Sequence, residues 1–213
     1  MAIWSMFVEG ISVLLTQLAQ LLDGSFGVAV IVLALFVRLM LLPMTLRVAE
    51  QGWLQQRQMA ALKPKLDHLR ERHAKDPAAY ASATQALYRE HGVTMGLGSS
   101  LRVAAVQAPI GAGIYAAIRQ GVAGAGGCLW IPKLARPDLW LALIVAALNF
   151  AVMLLNPAMP EQTRNLLQFL PVLISFVLVW HLAAGLGLYW AGSTSVNLLQ
   201  TLLLRQRIRC MPS

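Results

Sequence analysis

The chain has 213 residues, of which 58% are hydrophobic and 12% charged, and it carries a formal net charge of +8. Soluble domains carry about 25% charged residues, so a uniformly water-bathed globule is excluded and part of this chain must meet lipid. The basic residues sit beside apolar stretches, which argues against sequence-specific nucleic-acid binding and for the Lys and Arg bias that sets membrane topology.

Residues 1–23 lack the basic start and the small-residue cleavage site of a signal peptide. Ser5, Glu9, Ser12, Thr16, Gln20 and Asp23 recur three or four apart along an otherwise apolar segment. That pattern predicts an amphipathic helix lying in the membrane surface on the exterior side. A hydrocarbon core of about 30 Å takes roughly 20 helical residues, and five stretches qualify: 24–46, 100–119, 139–156, 166–183 and 185–204. The expected fold class is therefore an all-α polytopic membrane protein with five transmembrane helices.

The connections carry the polar residues. Residues 47–92 hold eight of the 17 basic and five of the nine acidic residues. Met59, Leu62, Leu66 and Leu69 form one apolar seam, and Tyr80, Ala83, Leu87 and His91 a second. Asp76-Pro77 between them reads as a cap with proline at the first helical position. An antiparallel helical hairpin with a thin core, and hence mobile, is predicted. Residues 120–138 form an exterior loop whose Gly-rich part, 121–127, reads as a flexible connection. Residues 157–165 form a second cytoplasmic loop. The tail, 205–213, carries Arg205, Arg207 and Arg209.

With the N-terminus outside, thirteen basic residues fall on the cytoplasmic side and three outside. The positive-inside bias thus predicts an exterior N-terminus and a cytoplasmic C-terminus in an inner membrane. Cys128 and Cys210 then lie on opposite sides, which excludes a disulfide between them. Cys128 is expected to be reachable from outside and Cys210 only from within.

Arg38 follows twelve residues of which the most polar is Gly27, placing it about 18 Å into the first span. An arginine at the bilayer centre costs about 2.5–3.5 kcal/mol by insertion scales, so it should face water or a partner. Gln107, Asn149, Ser175, Ser193, Thr194, Asn197 and Gln200 are the polar residues of the other spans that could share its cavity, with Tyr189 and Trp190 near the outer part of the fifth. Each alone reads as an interhelical hydrogen bond or an interfacial aromatic. No acid lies within a span, which disfavours a proton relay or cation pump. There is no HExxH, no intramembrane aspartate pair and no GxSxG. His68, His73 and His91 lie on the polar hairpin, and His181 has no nearby Cys or acid to activate it. The expectation is a protein that is not an enzyme, with no cofactor and no metal.

Several segments together resemble the YidC/Oxa/Alb membrane-insertase family. They are GVAVIVLALFVRLMLLPMTLR (27–47), MAALKPKLDHLRERHAKDP with ATQALYREHGV, VQAPIGAGIYAAI, LWIPKLARPD, and LQFLPVLISFVLVWHLAAGLGLYWAGSTSVNLLQTLLLRQR. The resemblance runs in unbroken order over 24–209. It implies a five-helix core with a hydrophilic groove open to cytoplasm and lipid and closed to the outside. It implies a substrate groove of Arg38, Gln107, Tyr189, Trp190, Ser193 and Thr194. It also implies insertion without nucleotide hydrolysis, the substrate's apolar helix leaving along the first and fifth spans. The partners it implies are nascent or newly made membrane proteins and the lipid bilayer. A ribosome docked on the C-terminal arginines, a Sec-type translocon or a dedicated membrane complex are further partners it suggests. The chain departs from the family pattern at Gly96-Leu97-Gly98-Ser99-Ser100, at Ala34 where a hydroxyl is common, and at Thr194. The last two are expected to make the groove less polar. They leave open an alternative role as a structural or assembly subunit of a larger membrane complex.

Overall fold

The computed structural model describes residues 2–73, 76–92, 97–157 and 169–210. Among these, seven helices follow one another: α1 (Ala2–Leu21), α2 (Phe26–Arg72), α3 (Pro77–Glu90), α4 (Leu97–Val122), α5 (Leu139–Leu155), α6 (Leu170–His181) and α7 (Ala184–Arg209). The expected all-helical class holds. The fourth predicted span begins at 166, and its first residues lie outside the described set, as does most of the loop 157–165.

Packed pairs give the helix directions. Phe26 at the start of α2 lies against Gly121 near the end of α4, so these two are antiparallel. Asn149 of α5 donates to the Ser175 hydroxyl of α6 at 3.2 Å, and Phe150 stacks on Phe169, so these two also oppose. Leu141 of α5 packs on Gly187, and Val145 lies with Trp190, so α5 and α7 run the same way. Helices α2 and α7 are likewise parallel, from Leu188 beside Gly27 to Arg207 beside Glu50. Successive passes α2, α4, α5, α6 and α7 therefore alternate.

Helix α2 is, by length and composition, long and apolar enough to cross a membrane, while α5 and α6 are shorter apolar helices. Several large apolar side chains are more than half exposed: Phe36, Met40, Trp140, Leu154 and Leu173. Exposure on that scale is what lipid, and not water, accommodates. The 47 residues of α2 run through Pro43 and Pro64 into the hairpin without a break at 47. Arg47 to Leu62 is rich in Gln, Ala, Leu, Met and Arg, all good helix formers, so the helix runs on where the composition turns polar. Helix α3 starts as expected, the Asp76 carboxylate accepting from the amides of Ala78 and Ala79 at 3.0 Å each. The hairpin is thin: Leu62 is buried, and α3 buries no residue.

Helix α1 is docked on the bundle. Val8, Leu15 and Ala19 are buried. Phe7 and Ile11 lie over Gly113 of α4, about 12 Å along that helix from the level of Phe26. Beside this packed face runs the polar stripe, and Ile3, Met6, Val13 and Leu21 form an exposed apolar side.

The core sits at one end of the bundle. Val30, Leu33, Ile114, Ile118, Val122, Leu141 and Leu188 pack there with Cys128, Ile131 and Leu134 of the loop between α4 and α5. The second half of that loop, beyond the Gly-rich part, is held by hydrogen bonds. Cys128 and Ile131 exchange both backbone hydrogen bonds at 2.9 Å around Leu129, whose φ is +54°. Leu134 and Arg136 carbonyls accept from the amides of Gly185 and Ala184 at 3.1 and 2.9 Å. Those are orphan donors of the α7 N-terminus, where Ala183 offers no side-chain cap. Asp138 caps α5 through Leu141 and accepts from the Trp130 indole. Cys128 and Cys210 are both free, as the opposite-sides reading requires. The expectation that Cys128 is reachable is corrected: it is 6% exposed, filling the space that Gly27 leaves by having no side chain.

Candidate functional site

Past the packed end the helices diverge and enclose a cavity of about 300 Å3. Val37, Arg38 and Leu41 of α2 line it, with Gln107, Ile110, Gly111 and Tyr115 of α4, Leu178 and Leu182 around α6, and Leu186, Tyr189 and Trp190 of α7. Gln107, Gly111 and Tyr115 fall at intervals of four, a single ridge of α4. Tyr189 and Trp190 face the cavity one turn beyond Leu186. Four of the six predicted groove residues, Arg38, Gln107, Tyr189 and Trp190, thus converge from three helices far apart in sequence.

Arg38 is half-buried and twelve residues into α2. Among the described residues it makes no ion pair, and no hydrogen-bond partner is found for it. A guanidinium presents five donors and stays charged. In a mostly apolar wall it is a fixed positive centre with unused hydrogen-bonding capacity, complementary to a carboxylate. Gln107 adds an amide that can donate and accept, and the two tyrosines and the tryptophan supply aromatic faces with polar edges.

Ser193 and Thr194 do not join this cavity. Both are buried, 1% and 6% exposed, and among the described residues the Ser193 hydroxyl has no hydrogen-bond partner. Gly192 brings α7 up against Ala34 and the Ile31 carbonyl of α2, a seam beside the cavity. Ala34, 0% exposed, lies in that seam, so the missing hydroxyl there is a packing difference and not a loss of groove polarity. The seam continues through Thr45, whose hydroxyl donates to Gln200 Oε1 at 2.8 Å, to the Glu50–Arg207 pair at 2.6 Å. Arg207 is therefore part of a helix clamp and not of a free tail. Asn149, Ser175 and Gln200 serve as interhelical hydrogen-bonding groups.

A family model described as "60Kd inner membrane protein" matches residues 17–210. The chain belongs to the YidC/Oxa/Alb insertase family. Among similar proteins, the membrane protein insertase YidC of Fusobacterium nucleatum is 30% identical over 83% of this chain and 84% of its own length. The membrane protein insertase YidC 1 of Halalkalibacterium halodurans is 35% identical over 93% of this chain and 77% of its own. A crystal structure of an active YidC insertase with its first transmembrane domain resolved superposes with a TM-score of 0.61 at 26% identity. That likeness covers 92% of this chain and 45% of the solved one, so the chain spans less than half of that protein. Membership makes this an inner-membrane protein whose relatives are insertases, a role without covalent chemistry. Tyr115 and Gly111 were missed in the sequence reading as site residues. Their four-residue spacing from Gln107 was the available signal.

Proposed function

We propose that the chain is a membrane protein insertase whose Arg38 cavity shelters the polar tail of a newly made membrane protein while its apolar helix enters lipid. The observation that carries the reading is an unpaired arginine at span depth, in a cavity shared with Gln107, Tyr115, Tyr189 and Trp190. The cavity, about 300 Å3, takes part of a tail, and the helix itself stays in lipid.

Energetics need no nucleotide. Apolar residues gain roughly 0.3–0.6 kcal/mol each at the bilayer centre, so a 20-residue helix gains about 6–12 kcal/mol. A tail carboxylate crossing unaided costs about 2.5–3.5 kcal/mol on the same scale. Pairing it with Arg38 lowers the barrier at the deepest point.

The exit lies between α4 and α6. Along α2 and α7 the Gly192–Ala34 contact, the Thr45–Gln200 bond and the Glu50–Arg207 pair form a continuous closure. Tyr115 and Leu178, 41% and 43% exposed, flank the open side instead. The five alternating passes read as five membrane spans, the core end facing outside and the hairpin inside. Arg209, exposed, and Arg205, half-buried, remain as cytoplasmic charges of α7 for ribosome docking.

The test is complementation of insertase-depleted cells, following insertion of a small one- or two-span substrate by protease protection. Rescue is expected. Absence of rescue, with stable co-purification of one large membrane complex, would favour the subunit role.

A further inference from the structure

Helix α4 carries glycines in two distinct settings. A side chain on Gly113 would strike Phe7 of α1, and one on Gly121 would strike Phe26 of α2. Both are required by close approach. Gly111 is different: a Cβ built there meets nothing within 4 Å, yet the residue lines the cavity that holds Arg38. Glycine within a helix is destabilising relative to alanine, and among the described residues no neighbour needs it at this position. Its effect is on shape. Gln107, Gly111 and Tyr115 form one ridge, and the missing side chain opens a notch between two large ones whose Cα atoms are about 12 Å apart. The notch is floored by backbone, faces the same space as Arg38, and has Tyr115, Tyr189 and Trp190 around it.

We infer that Gly111 sets the size of side chain the groove admits, its notch taking an aromatic residue of the passing polypeptide while a neighbouring acid meets Arg38. The inference rests on the insertase reading above. The substrate class it selects is a membrane protein whose short exported tail carries Trp, Tyr or Phe next to Asp or Glu. Aromatic partners are favoured because offset and edge-to-face ring contacts add to burial. A filled notch should discriminate by size, as pockets that gain or lose methylenes do, by about 10–200-fold.

Two measurements separate failure of the inference from failure of the insertase reading. In the first, Gly111→Ala, Gly111→Leu and Gly111→Phe are compared on tails reading Ala-Asp, Leu-Asp and Trp-Asp at one position. The expected result is that Gly111→Phe lowers insertion of the Trp-Asp tail by at least about tenfold more than insertion of the Ala-Asp tail. Equal loss on all three tails, or no loss on any, overturns it. The second needs no insertion at all. In purified Gly111→Cys/Cys210→Ser protein, small and naphthyl-sized methanethiosulfonate reagents should react at similar rates. Reaction with the small reagent alone shows that there is no room for a ring, and overturns the notch whether or not the protein inserts substrates.

Discussion

Arg38 and Ser193 show how differently two buried polar residues can behave. Arg38 has a cavity in front of it, so its charge is usable. Ser193 is enclosed, and among the described residues its hydroxyl is unpaired, so it carries a desolvation penalty with no visible return. Replacing Ser193 with Ala should therefore raise stability by about 1 kcal/mol, read as a higher melting temperature in detergent, and leave insertion unchanged. A drop in insertion with stability intact would return Ser193 to the groove. The family resemblance put Tyr189, Trp190, Ser193 and Thr194 together in the groove. It could not show that Ser193 and Thr194 are buried beside Gly192, where α7 packs against Ala34 of α2. Arg38 and Gln107 were legible because each is conspicuous in an apolar run. Gly111 was not, since a residue that acts by having no side chain leaves no chemical mark in the sequence.

At the scale of elements, hydropathy located the helices better than it located their ends. It located the apolar helices and, through Asp76-Pro77, the hairpin turn. It placed an edge at 47 that α2 does not have, because a helix can leave lipid without turning. The loop 120–138 was read from its glycines, and indeed Gly124 and Gly126 have open space around them. Its anchors Leu134 and Arg136 are held by α7, some 50 residues away in sequence, which local pattern does not encode. The α2–α7 seam carries the element-scale prediction. Cysteines at Thr45 and Gln200, joined by a short thiol crosslinker, should leave insertion intact. Cysteines at Ile110 and Leu178, joined in the same way, should block it. The opposite pair of results would move the exit to the α2–α7 side. Breaking the Glu50–Arg207 pair alone should matter little, since the Arg207 side chain is 56% exposed and exposed pairs contribute about 0–1 kcal/mol.

For the whole molecule, packing and charge point the same way. The tightly packed end carries Arg119, Lys133 and Arg136, while the open end continues into the basic hairpin. In the proposed orientation, with the packed end outside, such a bundle would admit a polar tail from the cytoplasm and hold it at Arg38 without forming a through-pore. Topology is tested with Leu129→Cys, because Leu129 is 69% exposed where Cys128 is sealed. A membrane-impermeant thiol reagent should label position 129 in intact cells and Cys210 only after permeabilisation; the reverse order would invert the orientation.

The central claim, that the Arg38 cavity is where the translocating tail resides, is met most directly by site-specific photocrosslinking to a stalled, acidic-tailed nascent substrate. A photoreactive residue at Gln107 is compared with one at Leu154, which is 64% exposed on α5, in wild-type and Arg38→Ala protein. Arg38→Ala should remain folded, since removing an unpaired charge relieves desolvation. Crosslinks are expected from position 107 and not from 154, and they should fall by about tenfold, equivalent to ~1.4 kcal/mol, in Arg38→Ala, with Arg38→Lys between the two. Crosslinking from 107 that is unchanged in Arg38→Ala, or equal from 107 and 154, would contradict the account and leave Arg38 as a snorkelling anchor of α2.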